Sequence, residues 1–208
     1  MVDKDAVRRG YDAVAEAYAA DRSEDGRGRE ILSQFLDGLS ESARILDAGC
    51  GQGTPVLRDL TATATATGLD ISRAQLELAA ERVPDAALAQ GDMVRLPFRD
   101  GAFDAVTAYH SLIHVPRGQH REVVDEFARV LADGGRLLCS EGPDEWSGAN
   151  PDWLDTGVEM QWHIAGVEAT RDHLRDAGFA AESERPVGDP PENGDDERWT
   201  FFSARLEG

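Results

Sequence analysis

Lysine is almost missing from this chain: Lys4 is the only one, and every other basic side chain is arginine. Lys and Arg together number 21 against 40 acids, a formal net charge of −19 over 208 residues. That shortage argues against a nucleic-acid partner. Phosphate backbones are held by Lys and Arg clusters that release counterions, whereas here no basic stripe occurs and acids crowd Asp152 to Asp155 and Glu192 to Glu197. Such an excess of like charge repels itself in dilute buffer, yet at molar salt the Debye length falls to about 3 Å and the repulsion is mostly screened. The composition therefore fits a halophilic source, beside the plainer reading of an ordinary protein with an acidic surface.

Cysteine is scarce as well. Cys50 and Cys139 form no Cys-x-x-Cys unit, so both are expected to be reduced core thiols. No stretch approaches the roughly 18 apolar residues of a membrane span, and Asp3-Lys4-Asp5 opens the chain without the apolar region of a signal peptide, so no membrane partner and a cytoplasmic location are expected. No Gly-, Pro- or Ser-rich linker interrupts the first two thirds of the chain, and 208 residues suffice for one domain with a full core.

Short apolar runs alternate with longer helical patterns, the mark of a βαβ protein with a mostly parallel sheet. Strands are expected at Arg44 to Ala48, Ala64 to Leu69, Ala87 to Gln90, Phe103 to Tyr109 and Arg136 to Ser140, then at Ala180 to Pro186 and Trp199 to Leu206. Between them, Arg73 to Arg82 follows the N-cap type Ser72, and Gln119 to Leu131 sets Val123, Phe127, Val130 and Leu131 on one helical face, with Asp133-Gly134-Gly135 to stop it. An earlier helix over Val7 to Ala20 carries Val7, Tyr11, Val14 and Tyr18 at helical spacing. The stretch Gly188 to Asp196 is polar, acidic and Pro-rich, and reads as an exposed loop.

The densest signal is Ile45-Leu46-Asp47-Ala48-Gly49-Cys50-Gly51-Gln52-Gly53-Thr54-Pro55, an apolar strand that runs into three alternating glycines. Without Cβ atoms the turn can take positive φ and approach a bound molecule closely. A second apolar run ends in an acid, Asp70, within Gly68-Leu69-Asp70-Ile71, a pairing that suggests a nucleoside site. A dinucleotide turn has the spacing G-x-G-x-x-G and holds a pyrophosphate, whereas the spacing here is G-x-G-x-G. Asp47, just before the first glycine, disfavours a nearby diphosphate and suits a cation such as a sulfonium or ammonium. The set fits a ligand with a ribose, a positive charge and no phosphate.

These residues resemble the class I S-adenosylmethionine-dependent methyltransferases, whose first motif is similar to Leu46 to Gly53. Asp70 matches the family acid that binds the ribose hydroxyls, with Ile71 beside it. Gly91-Asp92-Met93, followed by Leu96-Pro97-Phe98, matches the segment that holds adenine through Asp92 and Met93. Phe103 to Tyr109 matches the fourth strand, which ends beside the methionyl part of the cofactor, and Val130 to Leu138 matches the helix, turn and fifth strand that close the sheet. The resemblance implies one Rossmann-like α/β domain over residues 1–208, a seven-stranded mostly parallel sheet with helices on both faces and the last strand antiparallel. Residues 1–40 would be an N-terminal helical lid, 44–142 the cofactor core, 143–166 a Trp-rich loop on the substrate side, and 167–208 the final helix and strands. It further implies S-adenosyl-L-methionine as cofactor, S-adenosyl-L-homocysteine as product, and cofactor contacts from Tyr11 on the lid, Asp47, Gly49, Gly51, Gly53, Asp70, Ile71, Asp92, Met93 and Tyr109.

On the acceptor side, methyl transfer is an in-line displacement at an activated methyl, so proximity and alignment do most of the work and a base is optional. His110 and His114 follow the fourth strand, where α/β sheets place their ligands, and either can deprotonate an acceptor. Their spacing imitates two metal ligands on one helical face, but Ser111 stands where an H-E-x-x-H site has Glu, and no metal is expected. Trp146, Trp153 and Trp162, with Met160 and His163, gather large side chains that can wall off an organic substrate; Trp146, Trp162 and His163 are the expected substrate-side residues. The fourth strand lacks the Asn/Asp-Pro-Pro-Tyr/Phe sequence of amino-methylating nucleic-acid enzymes, so a small-molecule methyl acceptor is the expected partner. A cofactor-binding regulatory protein without turnover stays open beside the enzyme, and an NAD(P)-dependent oxidoreductase fits less well.

Overall fold

The computed structural model describes residues 2–21, 27–188 and 198–208. A seven-stranded sheet is built from β1 (Arg44–Ala48), β2 (Thr65–Asp70), β3 (Ala87–Gln90), β4 (Phe103–Ala108) and β5 (Leu131–Glu141). After a separate hairpin of β6 (Trp146–Trp153) and β7 (Val158–Ile164), it is completed by β8 (Phe179–Gly188) and β9 (Arg198–Leu206). Its order is β3-β2-β1-β4-β5-β9-β8. Pairing is parallel from β3 through β5, and β9 runs antiparallel to both of its neighbours, so the expected Rossmann-like sheet with an antiparallel last strand is present.

Six helices are described: α1 (Lys4–Asp21), α2 (Arg27–Leu36), α3 (Val56–Thr61), α4 (Arg73–Arg82), α5 (His120–Val130) and α6 (Val167–Asp176). Strand alternation lets one sheet serve two cores. Leu46, Val106 and Leu137 face α5, whose Val123, Phe127 and Val130 are fully buried, while the intervening Ile45, Ala105 and Leu138 face α2 and α3 through Leu32, Phe35, Leu57 and Leu60. Since β1 leads outward to β2 and β3 while β4 leads the other way, the chain reverses between β1 and β4. A crevice opens there beyond the strands' carboxyl ends.

Several strand ends shift by one or two residues, and three elements differ more from expectation. First, α1 begins at Lys4, because Asp3 caps it: its carbonyl accepts from the Val7 amide at 3.0 Å and its carboxylate from the Asp5 amide at 3.0 Å. Second, Asp133-Gly134-Gly135 does not stop α5. The helix already ends at Val130, Leu131 pairs with Phe103 as the first residue of β5, and Gly134 at φ 72° bulges inside that strand. Third, the Trp-rich segment is a two-stranded hairpin and not a loop. Its turn places Leu154, Asp155 and Gly157 at positive φ, and Met160 of β7 is fully buried beneath α1. Gly10 permits that contact, since a Cβ there would lie 2.9 Å from Met160 Cε. The acidic stretch that reads as an exposed loop falls, from residue 189 to 197, outside the described residues. No described helix is long and apolar enough to cross a membrane.

Candidate functional site

The crevice between β1 and β4 is a cleft of about 930 Å³, its solvent-open mouth included. Its floor is the glycine turn. Gly49 sits at φ 79°, and a Cβ on it would lie 2.3 Å from Ser111 Cβ, so the turn and the end of β4 meet only because position 49 is bare. The turn is held from β2: Leu69 carbonyl accepts from the Gly49 and Cys50 amides at 2.7 and 3.0 Å, and Asp70 Oδ2 accepts from the Gly51 amide at 2.9 Å. Asp70 Oδ1 takes the Ser72 amide at 2.8 Å. Burial outweighs these bonds and pushes the Asp70 carboxyl up to about 6, with nearby Asp12 adding to the rise. Asp47 is almost wholly buried at the end of β1 and accepts from the Thr107 hydroxyl at 2.8 Å.

Cofactor residues expected from sequence converge here. Tyr11, Asp47, Gly49, Gly51, Asp70, Ile71, Asp92, Met93 and Tyr109 all line the cleft, as do His110 and His114. Gly53 does not. Its missing Cβ makes room for α4 instead, since an added one would meet Val83 Cγ2 at 2.9 Å and Ala79 Cβ at 3.3 Å, and its φ of 88° needs glycine. Tyr109 lies in the wall but aims its hydroxyl outward to the Gly28 carbonyl of α2, at 3.1 Å.

A roof closes over this floor. Lys4 on α1 pairs with Asp92, and Asp12 Oδ1 accepts from the Ser72 hydroxyl at 2.7 Å and the Ala74 amide at 3.2 Å, capping α4 from another element. Tyr11 hydroxyl lies 2.8 Å from His114 Nε2. His114 Nδ1 is 3.1 Å from the Gln161 carbonyl, which can only accept, so Nδ1 carries the proton and Nε2 accepts from Tyr11. Burial pushes His114 down to about 4, which keeps it neutral at pH 7. Tyr18 and Trp153 stack edge-on against Tyr11, each with ring centroids 5.4 Å from it. Every tyrosine of the chain thus lines this one cleft.

His110 occupies the left-handed region at φ 51°, an uncommon conformation for a side chain of its size, with its amide donating to Ser140 Oγ at 2.8 Å and its ring 4.4 Å from that of Trp199. The expected substrate-side residues are not brought to the wall. Trp146 is 51 % exposed on the hairpin's outer edge. Trp162 stands behind His114, ring to ring at 6.1 Å, and His163 faces the other way, bonded to Ser147 Oγ at 2.6 Å and packed on His120. Alternation along β7 separates the two. Among the described residues no group of three or more His, Cys, Asp or Glu is placed to hold a metal ion.

Sequence reasoning passed over several lining residues: Lys4, Gln52, Thr54, Gln75 and Ser111. Lys4 carried a signal in being the sole lysine, and Gln52 lies inside the glycine motif itself. Within the lining, Gln52 Oε1, Thr54 Oγ1 and both amide atoms of Gln75 are buried without a hydrogen-bond partner in the protein. Buried polar atoms are rarely left so unless a ligand or water completes them.

An open α/β sheet with a ligand cleft at its reversal point, floored by a glycine turn and flanked by Asp70 and Asp92, defines a nucleoside-cofactor protein. Residues 46–139 match the family model described as a methyltransferase domain. The 27-O-demethylrifamycin SV methyltransferase of Amycolatopsis mediterranei is 35 % identical over 184 residues, covering 82 % of this chain and 64 % of its own. The demethylmenaquinone methyltransferase of Lactiplantibacillus plantarum is 34 % identical over 138 residues, covering 62 % of this chain and 55 % of its own. This chain therefore spans less than two thirds of the length of either relative. Among solved structures, 1,6-didemethyltoxoflavin-N1-methyltransferase of Burkholderia thailandensis, with 1,6-didemethyltoxoflavin and S-adenosylhomocysteine bound, superposes with a TM-score of 0.75 at 17 % identity, covering 98 % of this chain and 88 % of its own. Residues 46–139 are thus a methyltransferase domain, and the chain is similar to the class I S-adenosylmethionine-dependent methyltransferases.

Proposed function

We propose that this protein transfers a methyl group from S-adenosylmethionine to a small organic acceptor, chiefly by holding the two in line. The observation that carries this reading is the cleft at the β1/β4 reversal, lined by the glycine turn, Asp70, Asp92 and three tyrosines. Its partnerless buried amides and the bare glycine floor fit a polar nucleoside ligand. When bound, S-adenosylmethionine supplies a methyl already activated on a sulfonium sulfur.

In this reading Asp70 keeps lone pairs for the ribose hydroxyls while its amide bonds hold Gly51 and Ser72 in place. Asp92 and Met93 serve the adenine side, where Lys4 now pairs with Asp92. The buried carboxylate of Asp47 suits a cation and opposes a diphosphate, which argues against a nicotinamide dinucleotide. Tyr11, Tyr18 and His110 wall the acceptor end and exclude water. With Nε2 engaged by Tyr11 and its basicity depressed, His114 acts first as the strut that holds Tyr11, and a proton reaches it only if that bond exchanges. The homologues named above are enzymes of small organic molecules, which supports an acceptor of that kind for this chain. Two free, buried cysteines and the acid excess fit a cytoplasmic setting, and the acid excess one of high salt.

Incubation with methyl-labelled cofactor and a panel of small hydroxyl, amine and carboxyl compounds tests this. Label should pass to a small molecule; tight cofactor binding with no transfer to any acceptor class would favour a regulatory binding protein instead.

A further inference from the structure

Ser72 and Gln75 stand three residues apart at the start of α4, the spacing of a capping box. In such a box the first side chain caps the third residue's amide, and the third side chain bonds back to the amide of the first. Only half of it forms here. Ser72 Oγ accepts from the Gln75 amide at 3.2 Å, but the Ser72 amide is taken by Asp70 Oδ1 at 2.8 Å. The Gln75 side chain is thereby released from its local partner. It is 1 % exposed, it lines the cleft, and neither its Nε2 nor its Oε1 finds a partner in the protein.

Gly51 keeps that carboxamide within reach of the cleft. A Cβ at position 51 would have Gln75 Oε1 as its single neighbour within 4 Å, at 3.7 Å, so the bare turn leaves the amide side by side with open space. Asp70 thus joins the two ends of the arrangement: one carboxylate oxygen holds the Gly51 amide and the other displaces Gln75 from its cap. An apolar side chain of equal length would fill the same volume without the cost of an unpaired buried amide.

We propose that Gln75 is a binding residue for the nucleoside end of the cofactor, its carboxamide hydrogen-bonding there beside Asp70. The inference rests on the cofactor reading above and adds a contact to it. The test is a Gln75→Met variant, assayed by calorimetry with S-adenosylhomocysteine and with methylthioadenosine, which lacks the amino-acid part, together with the melting temperature of the ligand-free protein. Affinity for both compounds should fall about tenfold while the ligand-free variant melts no lower than wild type, since an unpaired amide has been removed. Unchanged affinity in the folded variant overturns the inference, and a loss confined to S-adenosylhomocysteine overturns the nucleoside assignment. Should the variant fail to fold, the side-chain amide resonances of Gln75 in the wild-type protein decide: they shift on adding S-adenosylhomocysteine if the contact exists and stay in place if it does not. Wild-type protein that binds neither compound removes the cofactor reading and this inference together; wild-type binding with an unaffected variant removes the inference alone.

Discussion

The floor and the roof of the cleft are built in opposite ways. The floor comes from two consecutive strands and the turns that end them: Gly49 to Gly53 after β1 and Asp70 after β2, with backbone amides doing most of the holding. The roof is α1, backed by the β6–β7 hairpin, and it meets the floor through side chains from distant parts of the chain. Lys4 reaches Asp92, Tyr11 reaches His114, and Met160 packs under Gly10. A floor made of backbone admits few substitutions, while a roof joined through side chains has contacts that can be removed one at a time.

The contrast is sharpest at Gly49. Alanine there has to adopt φ 79° with its Cβ 2.3 Å from Ser111 Cβ, which should cost about 3 kcal/mol or more and abolish cofactor binding. Denaturant unfolding and calorimetry would show it, and a stable, binding-competent variant would mean that the floor yields at this position. Next in size, Asp70→Ala should weaken S-adenosylmethionine more than tenfold, about 1.4 kcal/mol.

Asp70 also sets a pH dependence. Its folded carboxyl titrates at about 6, above its ordinary value of 3.8, so the ligand-free protein takes up a proton there as pH falls through 6. Ribose hydroxyls need the ionised form as acceptor, so affinity should be full above pH 7 and drop roughly tenfold by pH 5. For stability the sign is reversed: the raised value means that this group stabilises the fold most below 3.8, a contribution lost as pH rises through 6. An affinity flat from pH 7 to 5 would show that Asp70 is not the acceptor.

Roof variants should be milder. Tyr11→Phe removes the hydroxyl bonded to His114 and should cost about 1 kcal/mol in stability, with turnover reduced and cofactor affinity within about twofold of wild type. His114→Ala with undiminished turnover would retire His114 as a base. Smallest of all, Lys4→Gln breaks a pair whose side chains are both about one third exposed and should cost no more than about 0.5 kcal/mol. At molar salt, where the screening length is about 3 Å, the variant and wild type should unfold alike.

Most of the floor could be read from the chain because its parts are local. A strand, three spaced glycines and an acid at the end of the next strand occupy one contiguous stretch, and their positions along the chain translate almost directly into positions in space. Gly53 shares the motif's spacing but does not line the cleft, and its missing side chain leaves room for Ala79 and Val83. The hairpin escaped because Gly148, Asn150 and Pro151 interrupt any alternating pattern in β6, and its strands are held by pairing with one another and by burial of Met160 under α1. Trp146 and His163 were expected at the cleft on composition alone, yet which way a strand residue faces depends on register, which composition does not carry.

By itself, then, the sequence determined the mostly parallel sheet and the glycine turn that ends its first strand, because period-2 burial and positive-φ glycines are properties of neighbouring residues. Only the tertiary structure decided that the sole lysine lies against Asp92, that all three tyrosines share one cleft, and that Gln75 loses its cap to Asp70. Those outcomes depend on how α1, the hairpin and α4 dock, and docking is settled by contacts between residues far apart in the chain, where spacing along the sequence has no bearing.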